Sequence, residues 1–271
     1  MNSPLLEVKD LKKHFPIKKN KKFSRETTYV KAVDGVSLSI NPGETFGLVG
    51  ESGCGKSTLS RLIMRLIPSD SGEVYFNDNN FLKLSGKLLR EQRKDIQMVF
   101  QNPYESLNPR MTAGEIISSP FQIHDVLKKT ERITKVKELL EMVGLSKRYI
   151  NRYPHEFSGG QRQRIGIARA IALNPKLVIC DEAVSGLDVS VQSQILNLLI
   201  DLQKEFQFAY LFISHDLSVV KHMSDKLGVM YSGKIVEMGN SEDIYINPQN
   251  TYTQKLLSSI PIPDPKIKRN E

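Results

Sequence analysis

Residues Gly50-Glu51-Ser52-Gly53-Cys54-Gly55-Lys56-Ser57-Thr58 follow the pattern GxxxxGK[ST]. An apolar run, Phe46–Val49, precedes them and predicts a buried strand. Helical spacing follows from Leu59 to Leu66, with Pro68 as the predicted stop. A strand, a glycine loop and a helix start, in that order, are the context a phosphate-binding loop requires. The glycines let backbone N–H groups converge on an anion without Cβ clashes. The helix starting near Lys56 adds its positive N-terminal end. Lys56 is the candidate for neutralising β- and γ-phosphates, and Ser57 for coordinating Mg²⁺. An ordinary glycine turn before an ordinary helix would not need this strand–loop–helix context.

The rest of the chain reads as strands alternating with helices, the pattern of a mostly parallel, covered sheet. Leu5–Val8 predicts a short strand, with the lysine-rich stretch after it as an exposed loop. Val36–Ile40 alternates apolar and polar residues, as a half-buried strand does. From about Met111 to Leu173 strand character is lost, and Val136, Leu139, Leu140 and Val143 fall on one helical face before Gly144. Leu177–Cys180 predicts another buried strand, ending in Asp181 and Glu182. Beside a phosphate loop, Asp181 is a candidate Mg²⁺ ligand and Glu182 a candidate for orienting or deprotonating water. Helix Val191–Lys204, strand Ala209–Ile213 and helix Leu217–Met223 follow, with His215 at the strand tip as a candidate γ-phosphate contact. Gly228–Tyr231 and Lys234–Glu237 predict a hairpin, and the end, from Pro261, is expected to be disordered.

A second glycine-backed, hydroxyl-bearing turn lies at Phe157-Ser158-Gly159-Gly160-Gln161. It precedes an apparent helix, Gln161–Leu173, so its N–H groups also face a positive helix end. One chain therefore carries two anion-binding loops but one complete nucleotide site.

Composition narrows the function classes. The net charge is +8, much of it in Lys12-Lys13, Lys18–Lys22 and Lys266–Arg269. No aromatic residues alternate with these basic runs, so nucleic acid is not an expected partner. They read as solvated segments that an anionic membrane surface would attract. No apolar run reaches the roughly 18 residues of a membrane span, and no leader pattern opens the chain. Cys54 and Cys180 are the two cysteines and are not expected to pair. Cys54 reads as a variable position of the loop that tolerates a thiol, with a thiol pKa lowered by the helix end as the alternative, while Cys180 reads as a buried apolar residue.

Taken together and in this order, these elements resemble the nucleotide-binding subunit of an ATP-binding cassette (ABC) transporter, over about residues 5 to 260. Gly50–Thr58 matches the Walker A motif and Val178–Glu182 the Walker B motif. Gln101 matches the glutamine that in the family contacts Mg²⁺ and senses the γ-phosphate. Phe157–Gln161 matches the signature motif, with Phe where Leu is commoner. Ser185-Gly186-Leu187-Asp188 resembles the D-loop, with Gly186 where Ala is usual, and His215 matches the switch histidine. Phe15 falls where the family stacks an aromatic ring on adenine. The resemblance implies an α/β fold: a P-loop NTPase core with a mostly parallel sheet, an N-terminal antiparallel β portion, and a helical subdomain inserted at about 105–173. It implies ATP and Mg²⁺ as cofactors, with Ser57, Gln101 and Asp181 around the metal. It implies catalytic roles for Glu182, His215 and Lys56, and communication across a dimer by Asp188. Ser158, Gly159, Gly160 and Gln161 would cap ATP bound by the opposite subunit.

A narrower resemblance, to the ATPase subunits of oligopeptide and dipeptide importers, rests on Gln101–Arg110, Asp188–Gln192 and the tail Asn247–Leu257. The usual His-Pro before the tail's tyrosine is Asn250-Thr251 here. The chain resembles the shorter of the two ATPase subunit types and lacks the cysteine cluster some members carry. The implied organisation is an ATPase domain over 1–260, an importer-type extension over 240–262 and a tail over 263–271. The implied partners are a second ATPase subunit (a different chain, or a copy of this one), two membrane-spanning permeases docking near Asn102–Met111, and, indirectly, an extracytoplasmic binding protein. The expected location is the cytoplasmic face of the cell membrane. Importers of nickel or another metal complex are the alternative, and a soluble ABC ATPase or a non-catalytic regulator are further readings.

Overall fold

In the computed structural model, residues 3–18 and 27–259 are described. The tail from Pro261 and the basic runs Lys19–Lys22 and Lys266–Arg269 lie outside the described residues. The chain builds strands β1 (Leu6–Lys18), β2 (Thr27–Ile40) and β3 (Thr45–Val49), helix α1 (Lys56–Ile63), strands β4 (Ser71–Phe76) and β5 (Asn79–Asn80), helix α2 (Gly86–Asp95) and strand β6 (Ile96–Val99). Helices α3 (Pro103–Ser106), α4 (Ala113–His124), α5 (Lys129–Met142) and α6 (Gly159–Ile171) follow without an intervening strand. Then come β7 (Leu177–Asp181), α7 (Val189–Phe206), β8 (Ala209–Ile213), α8 (Leu217–Met223), β9 (Lys226–Tyr231), β10 (Lys234–Asn240), α9 (Ser241–Ile246) and α10 (Thr251–Ser258).

Two sheets result. The first has the order β2-β1-β4-β5 and is antiparallel, and the second has the order β10-β9-β3-β8-β7-β6. In the second, every pairing is parallel except β9 with β10. Strands β3, β7 and β8 are buried throughout. Their alternation persists as a division between two cores. Val178, Cys180, Tyr210 and Phe212 join the core under α4 to α7. Leu177, Ile179, Leu211 and Ile213 join the core shared with α1 and the antiparallel sheet. Full burial of each such side chain contributes about 1.5–3 kcal/mol. Because β3, β6, β7 and β8 run parallel, their carboxyl ends meet at one edge, where ligands of such sheets collect.

As far as Lys18 the lysine-rich stretch is strand and not loop, because β1 continues to that residue. It pairs with β2 through shifts in register between Val8 and Leu11, Leu11 and Lys12, and Lys13 and His14. Asp70 accepts from Lys13 Nζ at 2.7 Å and from the His14 N–H at 2.6 Å. The ammonium groups of Lys12 and Lys13 meet the carboxylates of Asp10 and Asp70, so charge alone did not break the strand. Helix α1 starts at Lys56, where the glycine loop places it, but ends earlier than its sequence reading, before Arg65, which takes φ +53°. That left-handed turn, not Pro68, ends the helix. Val136, Leu139, Leu140 and Val143 are buried together, and Gly144 follows with φ +72°.

Candidate functional site

The glycine loop joins β3 to α1. Gly55 has φ +114°, and a Cβ there would lie 2.0 Å from the carbonyl oxygen of Ala32. Only glycine fits where the loop is pressed against β2. Lys56 is 4% exposed. Its ammonium donates to the carbonyls of Gly50 at 2.7 Å and Glu51 at 3.0 Å, so it is held over the loop by the loop itself.

Asp181, at the tip of β7, accepts from Ser57 Oγ at 2.9 Å and from Ser60 Oγ at 3.2 Å. Burial pushes the Asp181 carboxyl above its ordinary range and the Glu182 charge adds to the rise, while the two serine hydroxyls oppose it. The donor set at this corner, a carboxylate beside a hydroxyl, is all hard oxygen. It fits Mg²⁺, which is held by one or two protein groups together with phosphate oxygens and water. Among the described residues no cluster of three or more His, Cys, Asp or Glu would cage a metal by itself. A divalent charge there would favour the ionised Asp181 that burial disfavours.

Glu182 follows on a backbone with φ +48°. A non-glycine residue pays on the order of 1–3 kcal/mol for such a conformation. It is held there because its N–H donates to the Ile213 carbonyl at 2.9 Å and its own carbonyl accepts from the Ser185 N–H at 3.0 Å. The turn aims the carboxylate back across the sheet edge. Gln101 Nε2 donates to Glu182 Oε2 at 2.7 Å, and His215 Nδ1 lies 3.4 Å from the same oxygen. The two residues from the tips of β6 and β8 therefore converge on one carboxylate oxygen.

A cleft of about 500 Å³ is lined by the loop from Ser52 to Thr58, with Gln101, Glu182, Val30, Ala32 and the Ser232-Gly233 turn. Gly50, Glu51, Asp181, His215 and Phe15 are not part of this lining. Phe15 is 40% exposed and lies directly across the β1–β2 register from Val30, which does line the cleft. Ser60, Tyr29 and the Ser232-Gly233 turn were missed from sequence. A helix starting at Lys56 would have placed Ser57 and Ser60 on one face, a signal available in the i, i+3 spacing. Nothing local marks the others.

The second glycine turn sits apart. Helix α6 begins at Gly159, earlier than the sequence reading had it, with Ser158 as its cap. Ser158 Oγ accepts from the Gln161 N–H at 3.3 Å while Gln161 Oε1 accepts from the Ser158 N–H at 3.1 Å. This reciprocal cap leaves the Gly159 and Gly160 N–H groups without intrahelical acceptors. Phe157 is buried and packs edge-on against Tyr149 at 5.8 Å, anchoring the turn. Ser158, Gly159 and Gly160 open into a separate cleft of about 750 Å³ with Gln101, Leu187 and Asp188. Asp188 precedes α7 and makes no side-chain cap. A Cβ on Gly160 would lie 2.4 Å from Val191 Cγ1, so a glycine lets α6 and α7 pack closely here.

The geometry favours the unreactive reading of Cys54 over its alternative. Burial pushes the Cys54 thiol above its ordinary value, outweighing the nearby Lys56 charge, so the helix end does not activate it. Cys180 is fully buried and its thiol is pushed far up by burial. Both are unpaired.

Residues 33–185 match the ABC transporter family, and residues 236–271 match the oligopeptide/dipeptide transporter C-terminal region. The oligopeptide transport ATP-binding protein AppF of Bacillus subtilis (strain 168) is 56% identical over 259 residues, covering 95% of this chain and 78% of that protein. The oligopeptide transport ATP-binding protein OppF of the same organism is 54% identical over 272 residues, covering 100% of this chain and 87% of that protein. A solved dimeric post-hydrolysis state of the ATP-binding cassette MJ0796, bound to ADP and Pi, superposes with a TM-score of 0.75 at 30% identity, over 87% of this chain and 98% of that one. The structure of cbiO1 from Clostridium perfringens, part of the cbiONQ transporter complex, gives a TM-score of 0.75 at 26% identity, over 91% and 92%.

Proposed function

The chain belongs to the ABC transporter family, and on that premise we propose that it is the ATP-hydrolysing subunit of an oligopeptide importer, working as one half of a two-subunit nucleotide sandwich. The observation behind the sandwich is the pair of separate clefts. One holds the phosphate loop with Lys56 and Glu182, and the other holds the uncapped N–H groups of Gly159 and Gly160 beside Asp188. Each cleft is half of what a triphosphate needs, so two subunits in opposed orientation complete two sites. The dimeric cassette bound to ADP and Pi supports this arrangement by likeness.

In the proposed reaction the phosphate-loop N–H groups and Lys56 bind the β- and γ-phosphates, with Phe15 and the strand beside Val30 flanking the base. Ser57, Asp181 and Gln101 would hold Mg²⁺, which would supply charge neutralisation at the phosphates. Glu182 orients the attacking water and takes its proton. Gln101 and His215 fix the Glu182 carboxylate, and His215 also meets charge growing on the γ-phosphate. The partner's Ser158–Gln161 turn closes the site, so turnover requires closure. ATP favours the closed pair by binding it more tightly than the open one. Among the described residues no helix is long and apolar enough to cross a membrane. The likeness to oligopeptide transport ATP-binding proteins supports membrane-spanning permeases, with a binding protein outside the membrane, as partners of this subunit at the cytoplasmic face.

The oligopeptide assignment rests on the named relatives and on the C-terminal match. Purifying the chain from its native membrane and identifying its companions tests it. Co-purification with two permeases, and ATP hydrolysis stimulated by an oligopeptide-loaded binding protein, is expected. Companions that respond to nickel or another metal complex in place of peptides would overturn the cargo assignment. Recovery with DNA or ribosomes would overturn the transport role.

A further inference from the structure

The C-terminal helix reaches the phosphate loop. The backbone N–H of Glu51 donates to the hydroxyl of Tyr252, in the first turn of α10, at 3.2 Å. The ring of Tyr252 packs on Tyr231 with centroids 4.3 Å apart at 41°. Tyr231 ends β9, immediately before the Ser232-Gly233 turn that lines the phosphate cleft, and the Gly233 N–H donates to the Cys54 carbonyl at 2.9 Å. The loop is thus held at two backbone positions from outside, one by the β9–β10 turn and one by α10.

Helix α10 is itself clamped. Glu237 on β10 accepts from the Gln249 N–H at 2.7 Å through one carboxylate oxygen and from the Asn250 N–H at 3.1 Å through the other. Asn250 then caps the helix by accepting from the Tyr252 N–H at 2.9 Å. A carboxylate holding two N–H groups, followed by a capped helix start, fixes where the Tyr252 hydroxyl stands. Tyr252 occupies a site with polar demands at one end and apolar packing at the other, which suits an amphipathic ring.

We propose that Tyr252 is a positioning residue for nucleotide binding. Its hydroxyl holds the Glu51 peptide in the orientation that lets the following loop N–H groups and Lys56 converge on phosphate. Because Glu237 and Asn250 set its place, the C-terminal segment tunes nucleotide affinity from outside the pocket. This rests on the nucleotide-site reading above.

The test uses the full chain with Tyr252→Phe, which keeps the ring on Tyr231 and deletes only the hydroxyl. One neutral hydrogen bond is lost, so affinity for MgATP is expected to fall about two- to tenfold. In the assembled transporter KM for ATP should rise by the same factor with kcat little changed. Hydrogen exchange at the Glu51 amide should accelerate, a readout that a purely structural role would not single out. Lys56→Ala serves as the control and should abolish nucleotide binding. If Tyr252→Phe leaves both affinity and Glu51 exchange unchanged while Lys56→Ala loses binding, the proposal fails and the nucleotide site stands. If the wild-type chain binds no nucleotide, both fail.

Discussion

Gln101 donates its side-chain amide to the carboxylate of Glu182 at 2.7 Å, from 81 residues earlier in the chain. The same oxygen lies 3.4 Å from His215 Nδ1. A carboxylate held from two sides on a left-handed backbone is fixed in place, which is what orienting a water molecule requires. Glu182→Gln keeps the shape and removes the base. Turnover at this chain's own site should fall at least about a hundredfold, with ATP affinity little changed. Phosphate release and nucleotide binding, measured on the same preparation, check both halves. Near-normal turnover would sink the role assigned to Glu182.

Gly160 and Val191 make a packing prediction. A methyl group at Gly160 would meet a stiff β-branched side chain at 2.4 Å. Gly160→Ala should destabilise the fold by about 1–3 kcal/mol and push the α6 start away from Asp188. Adding Val191→Ala makes room, so the double variant should recover most of the loss. Denaturant unfolding of the single and double variants decides it. Purely additive losses would mean that the close approach of α6 to α7 is not what requires glycine.

Asp70 ties the second half of β1 down. Its carboxyl is held below the ordinary aspartate range by the Lys13 ammonium and the His14 N–H, against a small opposing effect of burial. The folded value is the lower one, so its stabilisation is complete above the ordinary value of about 3.9 and is lost as pH falls through the depressed native value. Because the side chain is 43% exposed, screening keeps the effect to about 1 kcal/mol or less. Melting curves of wild type and Asp70→Asn should differ at neutral pH and converge in acid. Curves that stay equally separated at every pH would contradict the pairing.

Cys54 and Cys180 should be slow to alkylate. Burial raises both thiols, so thiolate is scarce near neutral pH. Labelling of native protein at pH 8 should be slow compared with a free thiol, and complete only after unfolding. Rapid labelling of Cys54 in the native chain would show that the helix end governs its acidity after all.

The parts of this molecule that were legible in the sequence are those written in short spans. Phe46–Ile63 contains a buried strand, a glycine loop and a helix start whose roles depend on neighbours in the chain, and Leu177–Glu182 is likewise self-contained. β1 misled because Lys12, Lys13 and Lys18 obscure its pairing with β2, which depends on register and on Asp70. α2 and β6 went unread because α2 has no buried residue to mark its period and β6 is a short strand between helices. The Tyr252–Glu51 bond joins residues 201 positions apart, and no local pattern records it. Which residues surround the phosphate loop from outside is a property of the tertiary fold.

In the proposed sandwich, Ser158–Gln161 serves a nucleotide bound by another subunit. Ser158→Arg tests it, because an arginine at the α6 cap blocks that turn without touching Lys56 or Glu182. ATP affinity of the isolated chain and ATP-driven association, with itself or with the second ATPase subunit, are measured side by side by calorimetry and analytical ultracentrifugation. Unchanged affinity with association abolished is the expected result. Weakened ATP binding by the isolated chain, or association that survives the arginine, would contradict it.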